Sequence, residues 1–196
     1  MREIVIATSN QGKLKEIRGI FKGLSIKFLS LADFPGLPEI IEDGNSFEAN
    51  AWIKAHAVFE KYKIPAIGDD SGLVVDQLDG RPGIYSARYS GENATYADNN
   101  KKLLKELTEF PAPHYAKFIC VAAYFDGSNN VYKAGEIKGQ IIKIPRGTNG
   151  FGYDPVFVPD GYNKTLAELT PEEKNKISHR AKAFGEMREI LKNKFL

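Results

Sequence analysis

Two acidic clusters are the residues of this chain best suited to chemistry. Asp69 and Asp70 are adjacent, follow the apolar Ala66 and Ile67, and precede Ser71, Gly72 and Leu73; Glu42 and Asp43 stand directly before Gly44. Like charges this concentrated need a counter-ion. A hard divalent cation such as Mg²⁺, which takes one or two carboxylates together with phosphate oxygens and water, meets that need. Asp70 then has a second role open to it, positioning or deprotonating a water. The competing reading is structural: a tight turn in which Asp69 and Ser71 bond backbone amides, with Glu42 a solvated loop carboxylate.

Three further segments complement the acids. Thr8, Ser9, Asn10, Gln11, Gly12 and Lys13 fall where an apolar stretch gives way to a helical pattern. Backbone amides and the positive end of a helix dipole favour an anion such as phosphate there, and Lys13 adds a mobile positive charge. A plain cap by Ser9 or Asn10, with Lys13 solvated, fits the same residues. Between Gly147 and Pro155, glycines surround Phe151, Gly152, Tyr153 and Asp154. Phe151 or Tyr153 offers a face on which a flat ligand stacks, and Asp154 accepts from ring N–H or amino groups; an ordinary surface turn is the alternative. The fourth segment carries Lys174, His179 and Arg180. Its donors match the O6 and N7 acceptors of a 6-oxo purine, whereas an adenine amino group would set donor against donor. An exposed charged helix is the plainer reading.

The elements expected to position these residues alternate between strand and helix. Residues 4–8 read as a buried strand, and Leu14, Ile17 and Phe21 recur at helical spacing directly after it. Ile26 and Phe28 suggest a second strand, ended by the break at Pro35, Gly36 and Pro38. Residues 46–63 form a helical pattern with Phe47, Ala51 and Val58 on one side and Asn50 and Lys54 one turn apart. Residues 66–68 and 73–76 read as short strands flanking an acidic turn, and 95–107 as an amphipathic helix. Residues 117–125 and 131–144 read as two strands of a hairpin joined through 126–130. Thr170, followed by Pro171 and by Glu173 three positions on, marks a helix start, and Ser178 a restart that continues through Leu191.

Composition excludes several classes. The chain has 196 residues, 42% hydrophobic, enough for one core of ordinary size, and one compact domain is expected. Lys and Arg number 27 against 25 Asp and Glu, so no basic field draws in a nucleic-acid polymer. The single cysteine, Cys120, permits neither a disulfide framework nor a multi-cysteine zinc site, and its apolar surroundings predict a buried thiol. The apolar stretch near the N-terminus is too short for a signal peptide or membrane span, so no membrane partner is expected.

In order and spacing these segments together resemble the inosine triphosphate pyrophosphatase family, also called XTP/dITP diphosphatases or non-standard purine nucleoside triphosphatases. The resemblance runs from Ile4 to about Arg180. It rests on Thr8, Ser9 and Asn10 with Lys13; Glu42 ahead of Phe47; Asn50 and Ala51 with Lys54 and Ala55; the Asp69 to Leu73 run; Pro82 and Gly83 with Ser86, Ala87 and Arg88; Phe151 to Pro155; and Glu173 and Lys174 followed by Ser178, His179 and Arg180.

The resemblance implies an α/β fold, a long curved mixed β-sheet flanked by helices in one ITPase-like domain over 1–196, with two lobes and a substrate cleft between them. It implies Mg²⁺-dependent hydrolysis of inosine and xanthosine triphosphates, ribo or deoxy, to the monophosphate and pyrophosphate, by a cytoplasmic homodimer. Its motif positions send Thr8 to Lys13 and Lys174 to the phosphates, with Lys54 a weaker candidate. They send Glu42 and Asp70 to the metal, Asp70 to the attacking water, Ser71 to the substrate beside the metal, and Phe151 to Asp154, His179 and Arg180 to the purine. Ser9 stands where many relatives carry glycine, and Ala49 where some carry an acid, with Glu48 one position earlier. Other readings of the same residues are a pyrophosphatase for modified pyrimidine nucleotides, a nucleotide sensor without turnover, and an RNA-binding module.

Overall fold

Strand β1, Arg2–Ala7, is covered on both faces, and the alternation of its side chains decides what covers each. Ile4 and Ile6 pack with Leu14, Ile17 and Phe21 and with Ala183, Phe184 and Met187. Val5 and Ala7 pack with Ala55 and Val58. The structure, a computed structural model, describes residues 2–34 and 36–195. Pro35, part of the break expected before the acidic segment, lies outside the described residues.

Those packing residues belong to three helices: α1, Gln11–Ile20; α2, Phe47–Tyr62; and α5, His179–Phe195. Four helix starts carry their own caps. Asn10 caps α1, Ser46 caps α2, and Thr95 caps α3, Tyr96–Leu107, in a capping box with Asp98. Thr170 and Glu173 form the same box ahead of α4, Pro171–Ile177, whose first residue is the proline. α2 ends at Lys63, whose left-handed backbone (φ 54°) stops the helix.

The remaining strands are β2, Ile26–Ser30; β3, Ala66–Val75; β4, His114–Phe125; β5, Asn130–Ile141; and β6, Phe157–Pro159. They form one six-stranded sheet in the order β2-β1-β3-β4-β5-β6. β1 is parallel to β2 and to β3, while β5 and β6 are antiparallel, so the sheet is mixed. With helices alongside, this is an α/β fold. The hairpin expectation is met by β4 and β5. β6, three residues long, has no counterpart in the periodicity, and β5 ends three residues before Ile144.

The acidic turn expected between two short strands does not exist. Residues 66–75 are one strand, and Asp69, Asp70, Ser71 and Gly72 lie within it. Two buried carboxylates are tolerated in a central strand because each meets a cation on its own face, described below.

Contacts group the chain into two compact units: Met1–Asp70 with Cys120–Gly135 and Arg180–Leu196, and Ser71–Ile119 with Glu136–His179. The first holds both packing layers around β1, including Cys120, which is buried as expected and in no disulfide. The second has its own core, in which Leu73, Val75, Leu103, Phe118, Val156, Phe157 and Leu166 pack together. Among the described residues no helix is long and apolar enough to cross a membrane.

Candidate active site

β3 separates its two aspartates by strand alternation. Ile67 faces the α1 and α5 layer and Ala66 the α2 layer, so Asp69 and Asp70, three and four residues on from Ala66, follow Ile67 and Ala66 respectively. Each carboxylate accordingly has different partners.

Asp69, 1% exposed, takes the Lys13 ammonium at 3.0 Å and lies 4.0 Å from Arg180 Nε. Arg180, also buried, reaches Glu16 of α1 through Nη1. Lys13, Asp69, Arg180 and Glu16 thus alternate in sign as a buried four-residue network. Burial pushes the Asp69 carboxyl up, but Lys13 and Arg180 outweigh it and bring it down to about 2. Burial likewise pulls Lys13 and Arg180 down, and their carboxylate partners more than restore them. Lys13 is therefore a fixed charge at the start of α1, not the mobile one expected. The loop before it is ordered by its own side chains: Asn10 N–H donates to Thr8 Oγ1 at 3.2 Å, and Asn10 Oδ1 accepts from Lys13 N–H at 3.1 Å. The cap reading and the anion-site reading are compatible, since Thr8 is buried, Asn10 and Gly12 half-buried, and Ser9 and Gln11 exposed at the helix start.

Asp70 faces α2. Its Oδ2 accepts from Asn50 Nδ2 at 3.1 Å, and its Oδ1 is 3.8 Å from Lys54 Nζ, which is itself 2.7 Å from Glu42 Oε2. Burial dominates here and holds the Asp70 carboxyl above the ordinary range, although Lys54 and Lys13 oppose it. The helix comes this close because β3 carries glycine opposite it. A Cβ at Gly68 would stand 2.1 Å from Ala51 O and 2.8 Å from Ala55 N, and Ala51 and Ala55 are themselves small.

The donor set around Lys54 fits a hard divalent cation. Glu42 and Asp70 already converge on one positive charge, both offer oxygen, and Mg²⁺ takes one or two carboxylates from a protein. Among the described residues no group of three or more His, Cys, Asp and Glu is arranged to hold a metal.

In the second unit the Gly-rich segment is closed by Asp154. Its buried carboxylate accepts from Phe151 N–H at 2.8 Å and from the buried Lys174 ammonium, which also lies 4.8 Å over the Phe151 ring. Lys174 thus stands with Phe151 and Asp154, although the resemblance sends it to phosphate. Tyr96 of α3 lies 6.1 Å from Phe151, and Asn100 Nδ2 donates to Gly152 O at 2.8 Å. Tyr153 is 4% exposed, and its hydroxyl donates to Ser86 O at 3.0 Å, so of the two aromatics Phe151 is the one with open surface. His179 is buried and stacks on Phe118 with ring centroids 4.8 Å apart, whereas Arg180, the next residue, has Glu16 and Asp69 for contacts. Ser71 follows Asp70 in β3 and is half-buried.

Glu16, Asn50, Tyr96 and Asn100 were not among the expected site residues. Glu16 had a sequence signal: it lies three residues after Lys13, on the same helical face. Asn50 had another, since asparagine is unfavourable inside a helix unless its side chain has a task.

These features define an α/β protein whose central strand gathers paired acids and lysines from two helices. A model of the Ham1 family matches residues 4–190. A dITP/XTP pyrophosphatase of Geobacter sulfurreducens is 49% identical over 193 residues, covering 97% of each chain, and that of Aquifex aeolicus is 45% identical with the same coverage. Among solved structures, a HAM1 protein from Coxiella burnetii superposes with a TM-score of 0.91 at 40% identity, over 98% of this chain and all of that one. A nucleoside-triphosphatase / dITP/XTP pyrophosphatase from Mycobacterium abscessus gives 0.76 at 41% identity, over 96% and 98%. The chain belongs to the Ham1 family.

Proposed function

We propose that this protein hydrolyses non-standard purine nucleoside triphosphates, those of inosine, deoxyinosine and xanthosine, to the monophosphate and pyrophosphate, and so clears them from the nucleotide pool. The observation that carries the reading is the pair Glu42 and Asp70 gathered on one cation beside a lysine-bearing helix start. Relatives named dITP/XTP pyrophosphatase, similar over nearly their whole length, support the substrate class.

Mg²⁺ is the ion assigned to Glu42 and Asp70, where it would neutralise phosphate oxygens that otherwise repel a nucleophile. Asp70 orients a water and accepts its proton. Thr8, Ser9, Asn10, Gln11, Gly12 and Lys13 receive phosphate at the start of α1, with Lys174 and, more weakly, Lys54 and Asp69's ion-pair network in support. Ser71 contacts the substrate beside Asp70. Phe151 stacks on the base, Gly152, Tyr153 and Asp154 shape its surroundings, and by the family resemblance His179 and Arg180 stand about the purine, Arg180 from within its pairs with Glu16 and Asp69. By the family resemblance the working form is a homodimer in the cytoplasm.

Product analysis tests the reaction. Deoxyinosine triphosphate is expected to yield the monophosphate and one pyrophosphate; orthophosphate as the first product contradicts the proposal. Asp70→Asn is expected to reduce turnover at least about a hundredfold. Near-normal turnover in that variant removes Asp70 from the role of base.

A further inference from the structure

Asn50 is buried inside α2, 1% exposed, and both ends of its amide are used. Nδ2 donates to Asp70 Oδ2 at 3.1 Å, and Oδ1 accepts from the Gly44 N–H at 2.9 Å. One side chain therefore bonds the strand that carries Asp70 and the segment that carries Glu42, which lies two residues before Gly44. The segment 42–44 is otherwise without helix or strand, so nothing regular fixes its register. Close approach is built in at Gly44: a Cβ there would stand 2.6 Å from Asn50 Oδ1 and 2.8 Å from the Ala49 Cβ. A buried amide costs free energy unless both its donor and its acceptor are satisfied, so this placement is specific in orientation as well as in location.

We propose that Asn50 is a positioning residue that acts through Asp70, tying that carboxylate and the Glu42 segment into one rigid frame, with glycine required at position 44 to admit it. The proposal rests on the reading of Asp70 as the base. Both ends of the Asn50 amide are taken up by Asp70 and Gly44, leaving none for substrate, so its removal should lower kcat and leave KM nearly unchanged.

The test is a double-mutant cycle on deoxyinosine triphosphate at saturating Mg²⁺, with Asn50→Ala and Gly44→Ala each made in the native protein and in Asp70→Asn. In the native background each is expected to lower kcat about tenfold or more with KM within about threefold; in the Asp70→Asn background each loss should shrink at least about threefold, only the tie to the Glu42 segment remaining. Equal losses in both backgrounds, a loss carried by KM, or no loss overturns the proposal. Gly44→Ala keeps the cycle decisive if Asn50→Ala fails to fold, because it leaves the core of α2 intact. Independently of activity, hydrogen exchange at the Gly44 amide should quicken in Asn50→Ala, and unchanged exchange overturns the tie. Full turnover in Asp70→Asn alone defeats the reading of Asp70 instead, which keeps the two failures apart.

Discussion

Asp69 and Asp70 are sequence neighbours that answer to different helices, and their carboxyl groups are shifted in opposite directions for that reason. Asp69 is held at about 2 by Lys13 and Arg180 against its burial. A carboxyl depressed in the folded state stabilises it above the unfolded pKa, and that stability is lost as pH falls toward the folded value. The window here runs from about 4 down to about 2, and a shift of this size corresponds to about 2 kcal/mol. Urea denaturation at stepped pH should therefore show the stability gap between native protein and Asp69→Asn narrowing by about that much across the window; a constant gap contradicts the ion-pair account. Arg180→Ala removes a buried cation from between Glu16 and Asp69 and is expected to cost about 3–5 kcal/mol. Adding Glu16→Gln should recover part of the loss, and simple additivity in the double variant would show that Glu16 and Arg180 do not share a network. Lys13, Asp69 and Arg180 of this network stood out in the sequence, and Glu16 did not. Their pairing was not legible, because Glu16 and Arg180 are brought together only by the packing of α1 against α5.

At the scale of elements, the start at Thr170 was readable because its cap is local, a bond to an amide three residues on, and Ser46 and Thr95 make the same bond where the helical patterns begin. β3 was misread for the opposite reason. Asp, Asp, Ser and Gly in succession are turn formers on their own, and only cations supplied by α1, α2 and α5 make them acceptable in a buried strand. β6 was too short to carry a period of its own. The contact that sets α2 on β3 is Gly68, and Gly68→Ala is expected to destabilise the fold by about 1–3 kcal/mol through overpacking. Because Asn50 and Lys54 ride on α2, the same variant should also lose turnover. Unchanged denaturation midpoint and unchanged kcat together would mean that α2 tolerates displacement from β3.

At the scale of the whole molecule, each of the two compact units holds part of the candidate set. The unit containing β1 holds Glu42, Lys54, Asp69 and Asp70 with the helix start at Lys13; the other holds Phe151, Asp154 and Lys174 with the stacked His179. The first set suits phosphates and a divalent cation and the second a flat base, and both lie within residues 4–190, which a model of the Ham1 family matches. The central claim is a nucleotide pyrophosphatase selective for a 6-oxo purine. It is tested most directly by kcat/KM of the purified protein for inosine, xanthosine, guanosine and adenosine triphosphates with Mg²⁺. The inosine and xanthosine triphosphates are expected to exceed adenosine triphosphate by about a hundredfold or more, the scale set by leaving buried polar groups unpaired. Equal values for inosine and adenosine triphosphates would contradict it.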